Sequence, residues 1–319
     1  MLLRKSQWSI STSNGNQWWV NAARWGLWRN LPLNVPGKLY SHVRDAEAGG
    51  DRFTLVEEGR AIAVAFVHPF AADADGVVGA VAVSPQNRNR GVATYFAGTI
   101  LRDAASRGFK SLHHSLRYGE TAPPAASKFL TSMNFVHQTT SDELTLYLDA
   151  DPALDSSSSN GVQIVTWRGH CPENIVANYA RLAAGKFAAG KLPLPTLAEM
   201  YRSSEARMRR AGLDALVSVA STEGRLVGHS RVILRSGSHV AEQAYTFVDP
   251  SFRKKGVAYR LKSENVRWIR RFAPEISQIR SVNQQGNAAI GLVNRRLDFR
   301  RLAVIEEYRL DLATPLAGA

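Results

Sequence analysis

The same strand–loop–helix pattern occurs twice in the sequence, and no other feature constrains the fold as strongly. Residues 76–109 and residues 241–274 each contain an apolar strand, a proline two residues after the last valine of that strand, a basic loop, Gly-Val-Ala and a helix. Arg88 and Arg253 stand at the same place in the two copies. Internal self-similarity indicates a repeated structural unit. The length of 319 residues also agrees with two domains of about 100–200 residues each.

A polar, serine-rich segment separates the two copies. Residues 151–160 cannot form a packed face, so we predict a linker there. The predicted N-terminal domain covers residues 1–150 and the predicted C-terminal domain covers residues 161–319. In each half, helices and a few antiparallel strands precede the repeated unit, and another strand, a helix and closing strands follow it. We therefore predict an α/β fold of two tandem domains, each a mixed, mostly antiparallel sheet flanked by helices.

The repeated loop carries the pattern Arg-x-x-Gly-x-Ala between a strand and a helix. A pyrophosphate can approach the free amides of a loop and a helix start only where no side chain blocks it, which favours glycine and alanine. Arginine and lysine side chains nearby add positive charge. The pattern is neither a Walker loop nor the three-glycine dinucleotide fingerprint. Its residues are Arg88, Gly91 and Ala93 in the first copy and Arg253, Gly256 and Ala258 in the second.

The formal net charge of +13 and the pI of about 10.2 favour an anionic ligand or partner. A nucleotide cofactor, an acidic substrate, RNA and DNA all fit the sign of the charge, and so does a surface charge that only aids solubility. Residues 267–272 and 294–301 are rich in arginine. Because no nucleic-acid-binding fold signature accompanies them, we interpret them as solvated helix faces and do not expect nucleic acid as a partner.

The remaining composition indicates a cytoplasmic protein with neither a membrane span nor a metal site. No apolar run approaches the roughly 20 residues of a membrane helix, and the N-terminus lacks the pattern of a secretory signal. Cys171 is the single cysteine, which excludes an internal disulfide. We interpret it as a small buried residue, and we expect a monomer or a homodimer.

At the repeated loop the sequence resembles the GNAT acetyltransferase superfamily, whose acetyl-CoA loop has the pattern Arg/Gln-x-x-Gly-x-Gly/Ala. The resemblance covers most of both halves, and in the second it continues through residues 281–299. The tandem arrangement resembles mycothiol synthase and related actinobacterial two-domain acetyltransferases. The resemblance implies a pair of splayed strands that grip the pantetheine of acetyl-CoA, or of another short-chain acyl-CoA, and an amine as the acceptor.

The resemblance also implies which residues bind the acyl-CoA. Phe247 and Val248 would bond the pantetheine arm, and Asn287 and Asn294 would lie beside the cofactor. The pyrophosphate would contact the second loop, formed by Arg253, Lys254, Lys255, Gly256, Val257 and Ala258. The equivalent residues of the first half are Val83, Arg88, Asn89, Arg90, Gly91, Val92 and Ala93.

A carboxylate on the strand before the loop commonly serves as the base in this family. Glu242 stands six residues before Val248, whereas Val77 stands at that offset in the first half, so we predict that the second half is catalytic. Strict alternation would put Glu242, Ala244 and Thr246 on one face of the strand and Gln243, Tyr245 and Phe247 on the other, although a bulge would reset this parity. The alternative is that Glu242 is an ordinary exposed carboxylate.

The sequence departs from the family pattern at the proton donor for the leaving thiolate. The family often has a tyrosine five residues before the closing phenylalanine, where this chain has Asn294 in the second half and Leu130 in the first. Tyr245, Tyr259, Tyr308 or solvent would have to replace it, and we rank Tyr245 first. A non-catalytic acyl-CoA-binding protein is therefore the main alternative. The sequence does not identify the acceptor.

The first half has its own candidate residues. His113 and His114 lie on the predicted strand after the first repeated helix, and Glu120 follows where the second half has Asn287. One of the two histidines would face inwards and could act as a base, although a core or surface histidine is the simpler interpretation.

Overall fold

The computed structural model describes residues 41–47, 50–58, 60–70, 75–121, 124–149, 161–184 and 192–312. The predicted linker at residues 151–160 lies outside these residues. No helix within the described ranges is long and apolar enough to cross a membrane.

Among the described residues, antiparallel strands, the repeated unit, a strand, a helix and a closing strand occur in each half in the predicted order. The helices predicted before the strands of the first half lie outside the described residues. The first half contains β1 (Ser41–Glu47), β2 (Gly50–Glu57), β3 (Arg60–Pro69), β4 (Gly76–Val83), α1 (Val92–Ser106), β5 (Ser111–Tyr118) and α2 (Pro124–Ser132). The chain continues with β6 (Val136–Tyr147), β7 (Gln163–Arg168), α3 (Val176–Ala184), α4 (Leu194–Arg210), β8 (Leu213–Thr222), β9 (Arg225–Arg235), β10 (Val240–Val248), α5 (Val257–Phe272), β11 (Gln278–Gln284), α6 (Ala288–Arg296) and β12 (Arg300–Asp311).

The first compact unit contains the described residues between 41 and 141 together with residues 303–312. Its strands lie in the order β1-β2-β3-β4-β5-β12. The pair β4–β5 is parallel, and the other pairs in this order are antiparallel. Phe96 and Ile100 of α1 pack against the sheet core, which includes Phe53 and Leu112.

The second compact unit contains the described residues between 142 and 302, and its strands lie in the order β6-β11-β10-β9-β8-β7. The pair β10–β11 is parallel, whereas β7–β8, β8–β9 and β9–β10 are antiparallel. One side of the sheet packs on α5 through Val266 and Ile269, and the other packs on α3 and α4 through Tyr179 and Met208. The predicted α/β fold, with mixed and mostly antiparallel strand pairing in each unit, is confirmed.

The domains were predicted as residues 1–150 and 161–319. The closing strands β6 and β12 do not divide between the two compact units at these boundaries. Strand β12, near the end of the chain, pairs with β5 in the first unit, where Leu310 lies opposite Leu112. Residues 142–147 of β6 belong to the second unit. Strand pairing uses main-chain hydrogen bonds, which any alternating strand can supply, so the sequence of a closing strand does not reveal which sheet it completes.

Candidate functional site

The two repeated loops have the same backbone conformation. Gly91 and Gly256 precede α1 and α5 with φ of 76° in both cases, which is the left-handed region that favours glycine. Two residues earlier, Asn89 and Lys254 also have positive φ, at 59° and 62°. The duplicated sequence therefore folds into a duplicated turn that leads into a helix.

In each loop, an arginine side chain forms a hydrogen bond with the end of the preceding strand. Nε of Arg253 donates a hydrogen bond to the carbonyl oxygen of Val248 at 3.2 Å. Nε of Arg88 donates to the carbonyl oxygen of Val83 at 3.3 Å. The arginine of the Arg-x-x-Gly-x-Ala pattern thus has a structural task in both units, because it fixes the turn relative to the strand.

The start of α5 is suited to bind an anion. The first amides of a helix have no carbonyl one turn earlier to accept their hydrogen bonds, and no side chain caps the helix at Gly256. A Cβ placed on Gly256 would meet no atom within 4 Å, so the approach to these amides is open. Val257 is buried in the core, which leaves only its backbone for a ligand. These residues fit a pyrophosphate group.

The two loops differ in their charged neighbours. In the first unit, Arg90 forms an ion pair with Glu57 at 3.3 Å and also donates to the side chain of Asn87. In the second unit, no acidic side chain of the described residues forms an ion pair with Lys254 or Lys255. The positive charge of the second loop is therefore less compensated than that of the first.

The strand before each loop separates from its parallel neighbour towards the loop. β10 pairs with β11 from Val240 to Gln243 only, although it continues to Val248. β4 pairs with β5 from Gly76 to Val78 only, although it continues to Val83. Each unit thus contains the splayed pair of strands that the resemblance implies, and the free strand edge leads to the glycine loop.

A bulge in β10 corrects the predicted distribution of side chains over its faces. The register shifts between Gln243 and Tyr245, so Glu242 lies opposite Ile233 and Tyr245 lies opposite Arg231. Because Ile233 and Arg231 are two residues apart on β9, Glu242 and Tyr245 share one face. The extra residue of the bulge makes the prediction of opposite faces wrong.

Side-chain contacts agree with the corrected assignment. Tyr245 and Phe247 lie beside the ring of His229, at centroid distances of 5.4 and 6.3 Å. On the other face, the Gln243 side-chain amide donates to the Ser230 hydroxyl at 3.1 Å. The Ser230 hydroxyl also lies 3.0 Å from that of Thr246. The two predicted catalytic residues, Glu242 and Tyr245, are therefore on the face that packs on α3 and α4.

That face contains a polar cluster that the sequence analysis missed. The Tyr179 hydroxyl lies 3.3 Å from Nδ1 of His229, and both side chains are buried. Burial, and secondarily the charge of Arg231, lower the pKa of His229 to about 4, so its imidazole is neutral at pH 7. The available signal was the stretch Gly-His-Ser-Arg in an otherwise apolar strand, which puts His229 and Arg231 on one face.

The two predicted asparagines have structural contacts of their own. The side chain of Asn287 caps α6 and accepts a hydrogen bond from the amide of Ile290 at 3.5 Å. Asn294 is buried, and its Oδ1 accepts a hydrogen bond from Nζ of Lys262 at 2.6 Å. Their position beside a cofactor stays a prediction.

The histidines of the first unit are held by neighbours on their own sheet. Nδ1 of His114 lies 2.9 Å from the carbonyl oxygen of Gly79, and burial lowers the pKa of His114. Nε2 of His113 lies 3.1 Å from the Ser111 hydroxyl. Glu120 is exposed. The local contacts of both histidines favour a structural role.

Comparisons with known proteins relate the chain to one family. Residues 189–299 match the sequence model of the acetyltransferase (GNAT) family. These residues contain the second loop, the splayed strands, α5 and α6. No curated protein sequence matches the chain significantly.

Solved structures with low sequence identity share the fold. A tandem GNAT protein from the clavulanic acid biosynthesis pathway is 20% identical, with a TM-score of 0.67 and coverage of 83% of each chain. A GCN5-related N-acetyltransferase from Sphaerobacter thermophilus is 14% identical, with a TM-score of 0.63, and the match covers 82% of this chain and 80% of that one. The particular resemblance to mycothiol synthase stays a prediction. Residues 189–299 are thus similar to a GNAT acetyltransferase domain, and the chain shares the fold of a tandem GNAT protein.

Proposed function

We propose that the protein is an acyl-CoA-dependent N-acyltransferase that transfers acetyl from acetyl-CoA to an amine. The observation that carries the proposal is the continuous path in the second unit from the free edge of β10 to the open amides at Gly256. This path lies inside the segment that matches the acetyltransferase family. The same loop in the first unit supports a second acyl-CoA site, with its positive charge partly compensated by Glu57.

The backbone of the second unit would hold the acyl-CoA. Phe247 and Val248 lie on β10 beyond its last pair with β11, so they are the proposed contacts of the pantetheine arm. The amides from Arg253 to Ala258 would bind the pyrophosphate, with Lys254 and Lys255 adding positive charge. Acetyl-CoA would supply an activated thioester. Side chains of the protein would accept the proton of the amine and protonate the departing thiolate.

Glu242 and Tyr245 are the proposed catalytic residues. The amine nitrogen would attack the thioester carbonyl, the carbon–sulfur bond would break, and the nitrogen would lose a proton. We assign acceptance of that proton to Glu242, directly or through water, and protonation of the departing thiolate to Tyr245. Their shared face of β10 supports a common reaction centre.

One observation favours a protein that binds acyl-CoA without catalysis. Asn294 stands where the resemblance to the GNAT family implies a proton-donating tyrosine, and it is buried against Lys262. An amide cannot replace a phenol as an acid. If neither Tyr245 nor solvent protonates the thiolate, the chain would bind acyl-CoA and release no thiol.

Two measurements on the full chain test the proposed function. Acetyl-CoA should raise the melting temperature with increasing concentration, because it binds the folded state. Free thiol should then appear when a library of amines is added with acetyl-CoA. A shift in melting temperature without thiol release would favour the binding protein, and no shift with millimolar acetyl-CoA or its short-chain homologues would contradict both functions.

A further inference from the structure

A row of side chains crosses the sheet of the second unit on the face of Glu242 and Tyr245. Trp167 of β7 lies opposite Val217 of β8, Val217 lies opposite Arg231 of β9, and Arg231 lies opposite Tyr245 of β10. The next row along β9 contains His229, which lies opposite Phe247. Arg231 and His229 are thus adjacent to the proposed reaction centre.

Three nitrogen atoms in this region are buried without a hydrogen-bond partner in the described part of the chain. They are Nε of Arg231, Nε2 of His229 and Nε1 of Trp167. His229 is only 2% exposed, and its ring is nearly perpendicular to that of Tyr179, with 5.4 Å between the ring centroids. Buried polar groups are normally hydrogen-bonded, so a group of unpartnered atoms in one place indicates a bound water or ligand.

Arg231 also lacks a counter-charge. Glu205 is the buried carboxylate of this region, but it accepts hydrogen bonds from Arg202 at 3.0 Å and from the amide of Cys171 at 2.9 Å. Glu173 forms an ion pair with the same Arg202. Within the described residues no carboxylate forms an ion pair with Arg231, and its Nη2 lies against the sulfur of Met208. The charge of Arg231 is therefore not balanced by any carboxylate of the described ranges.

We propose that Arg231 and His229 bind a carboxylate of the acceptor, which is therefore an amine that also carries a carboxylate, as amino acids do. The planar guanidinium of arginine matches the two oxygens of a carboxylate. The charge of Arg231 would be paired only when the acceptor is bound. This inference rests on the proposed function, because it names the substrate class of the same site.

The position of Arg231 limits the size of the acceptor. Along β9, successive residues on one face are two residues apart, which is roughly 7 Å. Arg231 lies opposite Tyr245, and Ile233, one step further, lies opposite Glu242. If the carboxylate of the acceptor binds Arg231, the amine of the same acceptor reaches Tyr245 and Glu242 only when a few bonds separate the amine from the carboxylate. Small amino acids fit this spacing better than long peptides do.

The first test compares matched acceptors. Thiol release from acetyl-CoA is measured with amino acids as free acids and with the same amino acids as carboxamides. Wild type should prefer a free acid over its carboxamide by about a hundredfold in kcat/KM. In Arg231→Met this ratio should fall to about one, whereas Arg231→Lys should retain part of it. If wild type uses acids and carboxamides equally well, the inference is wrong and the acyltransferase function stands.

The second test does not need turnover. Arg231→Met should melt at the wild-type temperature or above it, because the variant loses a partly buried charge that no carboxylate of the described residues pairs with. The matched control, Arg202→Met, should melt at a lower temperature because it removes the arginine that pairs with the buried Glu205 and leaves that carboxylate to the Cys171 amide and to Nδ1 of His170. If the melting temperature of Arg231→Met falls as much as that of Arg202→Met, Arg231 has a structural role and the inference is wrong.

A binding measurement separates the two proposals if no amine is acetylated. With acetyl-CoA present, millimolar free amino acids should raise the melting temperature of wild type and not that of Arg231→Met. That result would support the carboxylate site while contradicting the acyltransferase reaction. If no amino acid shifts the melting temperature and none is acetylated, the carboxylate site is contradicted.

Discussion

Nζ of Lys262 donates a hydrogen bond to Oδ1 of Asn294 at 2.6 Å, and the two side chains are 2% and 1% exposed. Lys262 belongs to α5 and Asn294 to α6, so this bond joins the two helices that follow the splayed strands. The ammonium group also lies 4.7 Å from the centre of the Phe299 ring. No carboxylate of the described residues forms an ion pair with Lys262, and burial lowers its pKa to about 7.

The buried lysine predicts that stability rises with pH in the alkaline range. The ordinary lysine pKa of 10.5 applies to the unfolded chain, whereas the folded value is about 7. Between these values the unfolded chain binds more protons, so the free energy of unfolding increases as the pH rises through this window. Below pH 7 the penalty for the buried charge is complete and constant.

Lys262→Met should remove this dependence. We expect the free energy of unfolding of wild type, relative to the variant, to increase by a few kcal/mol between about pH 7 and pH 10, since each pKa unit corresponds to about 1.4 kcal/mol. Urea unfolding of both proteins at several pH values measures the difference, in which the contributions of the other groups cancel. A difference that does not change with pH would show that Lys262 titrates normally.

Substitution of the two loop glycines should affect the protein unequally. Gly256→Glu puts an anion at the open amides of α5 and should abolish acetyl-CoA turnover. Gly91→Glu makes the same change at an equal φ of 76° and should impair binding or stability but leave measurable catalysis. Isothermal titration with acetyl-CoA and a thiol-release assay compare the two. If Gly91→Glu abolishes turnover and Gly256→Glu does not, the active site lies in the first unit.

Glu242→Gln should slow acetyl transfer while acetyl-CoA still binds. The amide preserves size but cannot accept a proton, and general-base catalysis contributes about a hundred- to ten-thousandfold. Raising the pH should restore part of the rate if bulk solvent can deprotonate the amine. Glu264→Gln, at a carboxylate that forms an ion pair with Arg267 on α5, is the control and should keep the wild-type rate. A wild-type kcat and pH profile in Glu242→Gln would identify Glu242 as an ordinary exposed carboxylate.

Gly228→Ala should destabilise the second unit where β9 meets β10. A Cβ on Gly228 would lie 2.9 Å from the carbonyl oxygen of Phe247 and 3.3 Å from Cδ1 of Leu261, so backbone must move. Overpacking of this kind costs about 1–3 kcal/mol. Since Phe247 is a proposed pantetheine contact, acetyl-CoA affinity should also fall.

The control for Gly228→Ala lies on a helix of the same unit. A Cβ on Gly291 of α6 would approach only the ends of the Arg295 and Asn283 side chains, at 3.6 and 3.7 Å. Gly291→Ala should therefore raise the free energy of unfolding by up to about 1 kcal/mol, because alanine favours a helix over glycine. Measured by urea unfolding, the free energy of unfolding should fall in Gly228→Ala and rise in Gly291→Ala. Equal changes in the two variants would contradict the close contact at Gly228.

The sequence determined the features that depend on local chemistry. The duplicated loop could be predicted because its glycines and basic residues are consecutive in the chain, and the left-handed conformation of Gly91 and Gly256 follows from those residues alone. The strand before the loop and the helix after it are equally local. They were enough to predict the α/β fold with mixed strand pairing, whereas the splayed pairs of strands were implied by the resemblance to the GNAT family.

Only the tertiary structure decided which distant residues meet. The bulge after Gln243 reversed the predicted faces of β10 because one extra residue in the pairing with β9 changes the alternation of all later side chains. His229 contacts Tyr179 and Arg231 contacts Met208 because α3 and α4 cover that face of the sheet. Likewise, β12 completes the sheet of the first unit through main-chain hydrogen bonds that are independent of side-chain identity. Pairing partners and covered faces depend on packing over long sequence separations, whereas the loop depends on a few consecutive residues.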